Sequence, residues 1–182
     1  WLNYYSLCKS YLNLIDRDST LETIYYFSAF AYHLKDPGVV LRHETYIKCL
    51  KDIGVEVQIG RFKPRDIKCS LCQGMFTRHE EKETDVAIAA KMLEVLTKDE
   101  CDCVVLVTGD TDLAPAVKTA KRLYAEKGKR IVFAFPYRRK NEELAKITQG
   151  SFKISRSNYS RYQLPDPFPL SDGTKIAKPP SW

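Results

Sequence analysis

Five consecutive residues, Thr108-Gly109-Asp110-Thr111-Asp112, place two carboxylates two positions apart at the end of an apolar run. That run, Cys103 to Thr108, has the composition of a central, buried parallel strand, and Gly109 bounds it. Ligands of open α/β sheets bind at the carboxyl ends of the strands, so Asp110 falls where chemistry is usually found. A hard cation such as Mg²⁺ takes carboxylate oxygens and retains water. Two carboxylates on a tight strand-to-helix turn can share such an ion. Asp112 has a competing reading, because it precedes Leu113-Ala114-Pro115. Aspartate is a favoured helix N-cap, and proline is tolerated in the first turn. With the cap assigned to Asp112, Asp110 has no obvious structural duty.

A third acid stands further upstream. In a helix following Glu81, positions 85, 89, 92 and 96 share one face and read Asp85, Ala89, Met92 and Leu96. A carboxylate heading an apolar stripe needs a counter-charge, a hydrogen-bond network or a metal. Two readings stand side by side. Lys82 and the helix dipole could satisfy Asp85, or Asp85 could point into the same pocket as Asp110.

The elements that must position these acids follow from periodicity. The opening stretch to about residue 14 reads as a helix. Residues 23–32 read as a buried strand, Pro37-Gly38 as a turn, and 40–53 as a helix closed by Gly54. Val55 to Arg61 alternates as a half-buried strand, and 62–79 reads as a long loop or small hairpin. A helix over 81–97, the strand at Cys103, a helix over 113–125, a strand over 130–135, a short helix over 141–148 and a short strand over 152–154 complete the pattern. Strands alternating with helices indicate α/β with a mainly parallel sheet. Residues 1–154 are expected to form this body. Residues 155–182 hold five of the nine prolines. They read as a tail, packed on the body or extending from it, without regular helix or central strand.

Composition narrows the rest. The 182 residues are 44% hydrophobic, enough for a core, and carry a net charge of +6, compatible with nucleic acid without requiring it. No apolar run approaches the ~20 residues of a membrane span, and no signal peptide is legible, so a cytoplasmic protein with reduced thiols is expected. The chain begins with Trp1, not Met, and reads as a fragment without its natural start. Cys69 and Cys72 have the spacing of half a zinc site. His79 or His43 could complete it, but a matching second pair is not in the sequence, and the loop reads as carrying two free thiols.

The stretches Glu81-Lys82-Glu83-Thr84-Asp85-Val86 and Leu106-Val107-Thr108-Gly109-Asp110-Thr111-Asp112-Leu113-Ala114-Pro115 together resemble the NYN domain of the PIN-like nuclease superfamily. Ile59-Gly60-Arg61-Phe62-Lys63 and Val132-Phe133-Ala134-Phe135-Pro136 extend the likeness. The resemblance implies a three-layer α/β/α sandwich with a central mainly parallel sheet. It also implies an acidic cluster that binds Mg²⁺ or Mn²⁺ and hydrolyses phosphodiesters, in RNA more than DNA. Asp85, Asp110 and Asp112 match the family's later acidic positions, and Thr108 matches the Ser/Thr lining the metal site. Glu81 and Lys82 support the Asp85 motif. The family's first strand, with its own Asp and Asn, has no counterpart before Trp1, so this chain is expected to lack that strand.

Metal-assisted hydrolysis is the expected chemistry. Arg61, Lys63, Arg138, Arg139 and Lys140 are the expected nucleic-acid contacts, since basic groups beside Phe62 and Tyr137 suit a single strand. Self-association is compatible with this reading; membrane association is not. Two other classes remain open: a non-catalytic nucleic-acid-binding module on the same fold, and a phosphatase with an Asp nucleophile. The Asp85 motif argues against the latter.

Overall fold

The computed structural model of the protein describes residues 1–180. The chain divides into two compact units: Trp1–Thr84 with the C-terminal stretch from Tyr162, and Asp85–Arg161.

In the first unit, α1 (Tyr4–Lys9) and α2 (Leu12–Ile15) replace the single opening helix expected. Asn3 caps α1 by accepting from the Ser6 amide at 2.9 Å. Strand β1 (Ile24–Ala29) lies within the expected span. Helix α3 (Pro37–Asp52) starts earlier than the sequence suggested. Pro37-Gly38 is not a turn: Asp36 caps the helix by accepting from the Gly38 amide at 2.8 Å, and Pro37 occupies the first turn, where a missing N–H is harmless. Gly54, at φ 83°, follows the helix as expected.

Strand β2 (Val55–Lys68) is much longer than its alternating segment. Its first half pairs in parallel with β1, from Ile24↔Val55 to Ala29↔Gly60. Its second half pairs antiparallel with β3 (Met75–Lys82), from Arg61↔Lys82 to Lys68↔Met75. The stretch expected as a loop or small hairpin is therefore a hairpin, and most of its side chains are exposed.

The residues after Tyr162 belong to this unit's core. Leu164, Phe168 and Leu170 are buried with Trp1, Tyr46, Cys49, Leu50 and Val55. The two ends of the chain are stitched together: the Asn3 amide donates to the Tyr162 carbonyl, the Leu164 amide to the Trp1 carbonyl, and the Trp1 indole to the Pro165 carbonyl at 3.1 Å. A short pair, β7 (Phe168–Pro169) with β8 (Lys175–Ile176), closes this region.

The second unit carries α4 (Thr84–Thr97), β4 (Cys103–Leu106), α5 (Ala114–Tyr124), β5 (Arg130–Phe135), α6 (Glu142–Ile147), β6 (Gly150–Lys153) and α7 (Arg156–Arg161). The last is a correction: six helical residues lie where a proline-rich tail was expected to have none, because every proline of that stretch falls after Arg161. The sheet is parallel throughout, in the order β4-β5-β6. The strand expected at the centre, β4, flanks it. Strand β5 takes the middle, with Ile131 to Phe135 all buried, whereas Val105 of β4 is 37% exposed. Lys129 fixes the approach to β4 by donating to the Cys101 carbonyl at 2.8 Å and pairing with Asp102 at 3.0 Å and with Asp99.

Met92, Leu96, Leu106, Val117, Ala120, Phe133, Phe135 and Leu144 form one core between α4, α5, α6 and the sheet. Phe133 and Phe135 stack at 5.6 Å with both side chains fully buried. A Phe133→Ala variant is expected to lose about 3–5 kcal/mol of stability, read as a lowered denaturant midpoint. A shift below about 1 kcal/mol would mean that this core is not packed as described.

Candidate metal centre

Each of the three acids is positioned by a different backbone feature of the second unit. Asp85 lies in the first turn of α4. The helix is oriented by Met92 and Leu96, 3% and 1% exposed, and Asp85 heads their stripe as the spacing predicted. Asp110 follows β4, whose buried Leu106 anchors the strand end. Between them, the Thr108 hydroxyl accepts from the Asp110 amide at 3.1 Å.

Asp110 then performs the capping role that the sequence assigned to Asp112. It has extended backbone angles, φ −85° and ψ 125°, and its Oδ1 accepts from the Asp112 amide at 3.0 Å. It caps a short 3₁₀ turn, Thr111–Leu113, which precedes α5. Asp112 falls inside this turn, which is why its side chain is not the cap. Buried Leu113 holds the turn against the core.

The outcome is convergence. One ligand oxygen from each of Asp85, Asp110 and Asp112 lies within 4.8 Å of the others. Among the described residues, this is the group of three or more His, Cys, Asp or Glu side chains close enough to hold one ion. Three carboxylates so close repel one another unless positive charge offsets them. The amino ends of α4 and of the 3₁₀ turn supply part of that field. An all-oxygen donor set fits a hard divalent cation and does not fit a thiophilic one.

Gly109 has a role the sequence reading did not find. A Cβ placed there would sit 2.4 Å from the Arg139 carbonyl oxygen. The turn after β5 therefore packs directly against the residue preceding Asp110. A glycine adjoining an acid at a strand end is the available signal for such a close approach. In that turn the Arg139 amide donates to the Pro136 carbonyl at 2.9 Å, Arg138 has φ 61°, and its guanidinium lies 5.2 Å from the Tyr137 ring. The Tyr137 amide donates to the Tyr159 hydroxyl at 3.1 Å. Arg138 and Arg139 are exposed, and Lys140 pairs with Glu142, whose carboxyl it holds below the usual range.

The remaining site residues lie in the first unit. Arg61 forks onto Glu83, with its Nε at 3.0 Å, so its charge is already matched. Lys63 is exposed on β2. Glu81 accepts from the Thr84 hydroxyl, and Lys82 pairs with Glu80 at 2.8 Å. Cys69 and Cys72 are free thiols at the turn between β2 and β3.

Fold and site define a mixed α/β protein with helices flanking parallel strands and an acidic cluster at a strand-to-helix turn. Compared with known families, residues 4–154 match the NYN domain. The chain belongs to the NYN domain family of the PIN-like superfamily. Among solved structures it is similar to a protein of unknown function from Vibrio parahaemolyticus, at 19% identity and a TM-score of 0.53, covering 85% of this chain and 80% of that one. That likeness shows the fold, a mixed α/β architecture consistent with the three-layer α/β/α class. A search of curated proteins found no match. No helix among the described residues is long and apolar enough to cross a membrane.

Proposed function

We propose that the protein is a metal-dependent endoribonuclease whose centre is Asp85, Asp110 and Asp112. The observation that carries this reading is the meeting of three carboxylates from two separate helix starts, within 4.8 Å, at the end of a parallel strand. Membership of a family on a nuclease-like fold supports it.

The three aspartates would hold Mg²⁺ or Mn²⁺. When bound, such an ion activates water and offsets charge on the scissile phosphate. The protein supplies position. The Asp112 amide takes Oδ1 of Asp110, which fixes the carboxylate and leaves Oδ2 for a ligand. Thr108 holds the same loop by accepting from the Asp110 amide. Arg138 and Arg139, on the turn packed against Gly109, offer donors to phosphate beside the acids. Tyr137, 41% exposed, offers a face on which a base can stack.

The test is cleavage of a labelled single-stranded RNA, beside DNA of the same sequence, with Mg²⁺ or Mn²⁺ and with EDTA. Cutting of RNA that needs metal is expected. Binding that EDTA does not weaken, with no cutting, would refute the enzyme and leave a recognition module.

A further inference from the structure

The hairpin of β2 and β3 carries a second constellation, outside the acidic centre. Its turn, Cys69-Ser70-Leu71-Cys72-Gln73-Gly74, lies beyond the last cross-strand pair, Lys68↔Met75. The turn is closed by its own backbone. The Cys69 amide donates to the Gly74 carbonyl at 2.8 Å, and the Gln73 amide donates to the Cys69 carbonyl at 3.0 Å. Gln73 adopts φ 58°, a left-handed conformation costly for a residue with a Cβ. This closure holds Cys69 and Cys72 on one six-residue turn.

A pair of cysteines spaced C-x₂-C on a tight turn is half of the ligand set of a structural zinc site, which is closed and tetrahedral. The chain does not complete it: among the described residues, no third His, Cys, Asp or Glu ligand atom joins Cys69 and Cys72. His79 is set back along β3, opposite Pro64 and four pairs from Lys68↔Met75, so it does not serve. The end of the hairpin is open and apolar, with Leu71 94%, Met75 66% and Phe76 52% exposed.

We propose that Cys69 and Cys72 form a zinc knuckle, and that the same two cysteines of a second copy complete a four-thiolate Zn²⁺ site joining two hairpin tips. Ligand number argues for the second copy, since two sulfurs per chain make four across a two-fold axis. The contact is self-complementary, as such an axis requires. It also covers apolar side chains at the tip that the fold leaves in water. Zinc binding releases the thiol protons to solvent and oxidises nothing.

The experiment uses the full chain, kept reduced with a phosphine, and measures mass by light scattering as Zn²⁺ is added. The mass is expected to double from 21.0 kDa, with one Zn²⁺ per two chains, and to halve again with EDTA. Co²⁺ in place of Zn²⁺ reports sulfur ligation through its intense thiolate-to-metal absorption. Cys69→Ser with Cys72→Ser should abolish both signals, whereas Asp110→Asn should keep both, which separates this site from the acidic one. Leu71→Glu, which keeps both thiols but opposes like charges at the tips, should weaken the dimer at least about tenfold. A monomer at saturating Zn²⁺, or a dimer that survives loss of both cysteines, would overturn the proposal. Either result leaves the nuclease reading intact.

Discussion

Asp110→Asn is expected to lower metal-dependent cleavage by about 100-fold or more while leaving the fold in place. The substitution is informative because Asp110 does two things. Its Oδ1 accepts the Asp112 amide and caps the 3₁₀ turn, and its carboxylate belongs to the group formed with Asp85 and Asp112. Asparagine keeps a carbonyl oxygen for the cap and ranks with aspartate at that position. It gives up the negative charge that a hard cation requires. The unfolding midpoint should therefore stay near that of the parent, while Mn²⁺ affinity, measured by calorimetry, falls with activity. Asp110→Ala would remove both roles and cost about 1 kcal/mol of stability besides. An asparagine variant that binds Mn²⁺ and cuts like the parent would show that this trio is not the metal centre.

How far the site was legible in the sequence depends on distance along the chain. Asp110 and Asp112 could be placed from local sequence alone, because a continuous apolar strand ending in glycine has few alternatives. Their division of labour was misread, since a single 3₁₀ turn inserted before α5 moves the cap from Asp112 to Asp110. Asp85 lies 25 positions before Asp110, and no local rule brings them together. What does so is the packing of Met92 and Leu96 against Leu106, Val117 and Phe133. Helical spacing put Asp85 on the right face but left its partner open.

The fold shows the same division. Strand β5 was predicted at its observed bounds, being an apolar run between Gly128 and Pro136. The arm of β2 and β3 was legible only as one of two alternatives, a loop or a small hairpin, and without its bounds, because most of its side chains are exposed and it carries no clear alternation. Its stability comes from backbone pairing and from cross-strand contacts such as Asp66 accepting from Thr77 at 2.7 Å. The C-terminal stretch was left between two alternatives, packed on the body or extending from it, for a related reason. Proline counts forbid long elements, but they say nothing about Leu164, Phe168 and Leu170 filling a core beside Trp1.

The second large effect is expected at Gly109, a residue with no side chain to offer the reaction. Alanine there puts a methyl group 2.4 Å from the Arg139 carbonyl oxygen, well inside contact distance. The obstacle is backbone, which cannot swing aside as a side chain would. Either the turn carrying Tyr137 to Lys140 moves away, or the Asp110 loop does. The first movement displaces the proposed phosphate donors; the second draws Asp110 from Asp85. A misplacement of about 1 Å in a positioned catalytic group costs on the order of 100-fold, so Gly109→Ala should be nearly as damaging as loss of the charge. It should also lower stability by about 1–3 kcal/mol, the usual cost of overpacking. Gly150→Ala is the control. A Cβ at Gly150 meets only a Val132 methyl group at 3.8 Å, ordinary contact, and should be tolerated. The two failures at Gly109 can be told apart. Mn²⁺ affinity retained with weakened RNA binding would mean that the basic turn gave way, whereas lost Mn²⁺ affinity would mean that the acidic loop did. Unchanged activity and stability would contradict the close approach on which both the proposed phosphate contacts and the geometry of Asp110 depend.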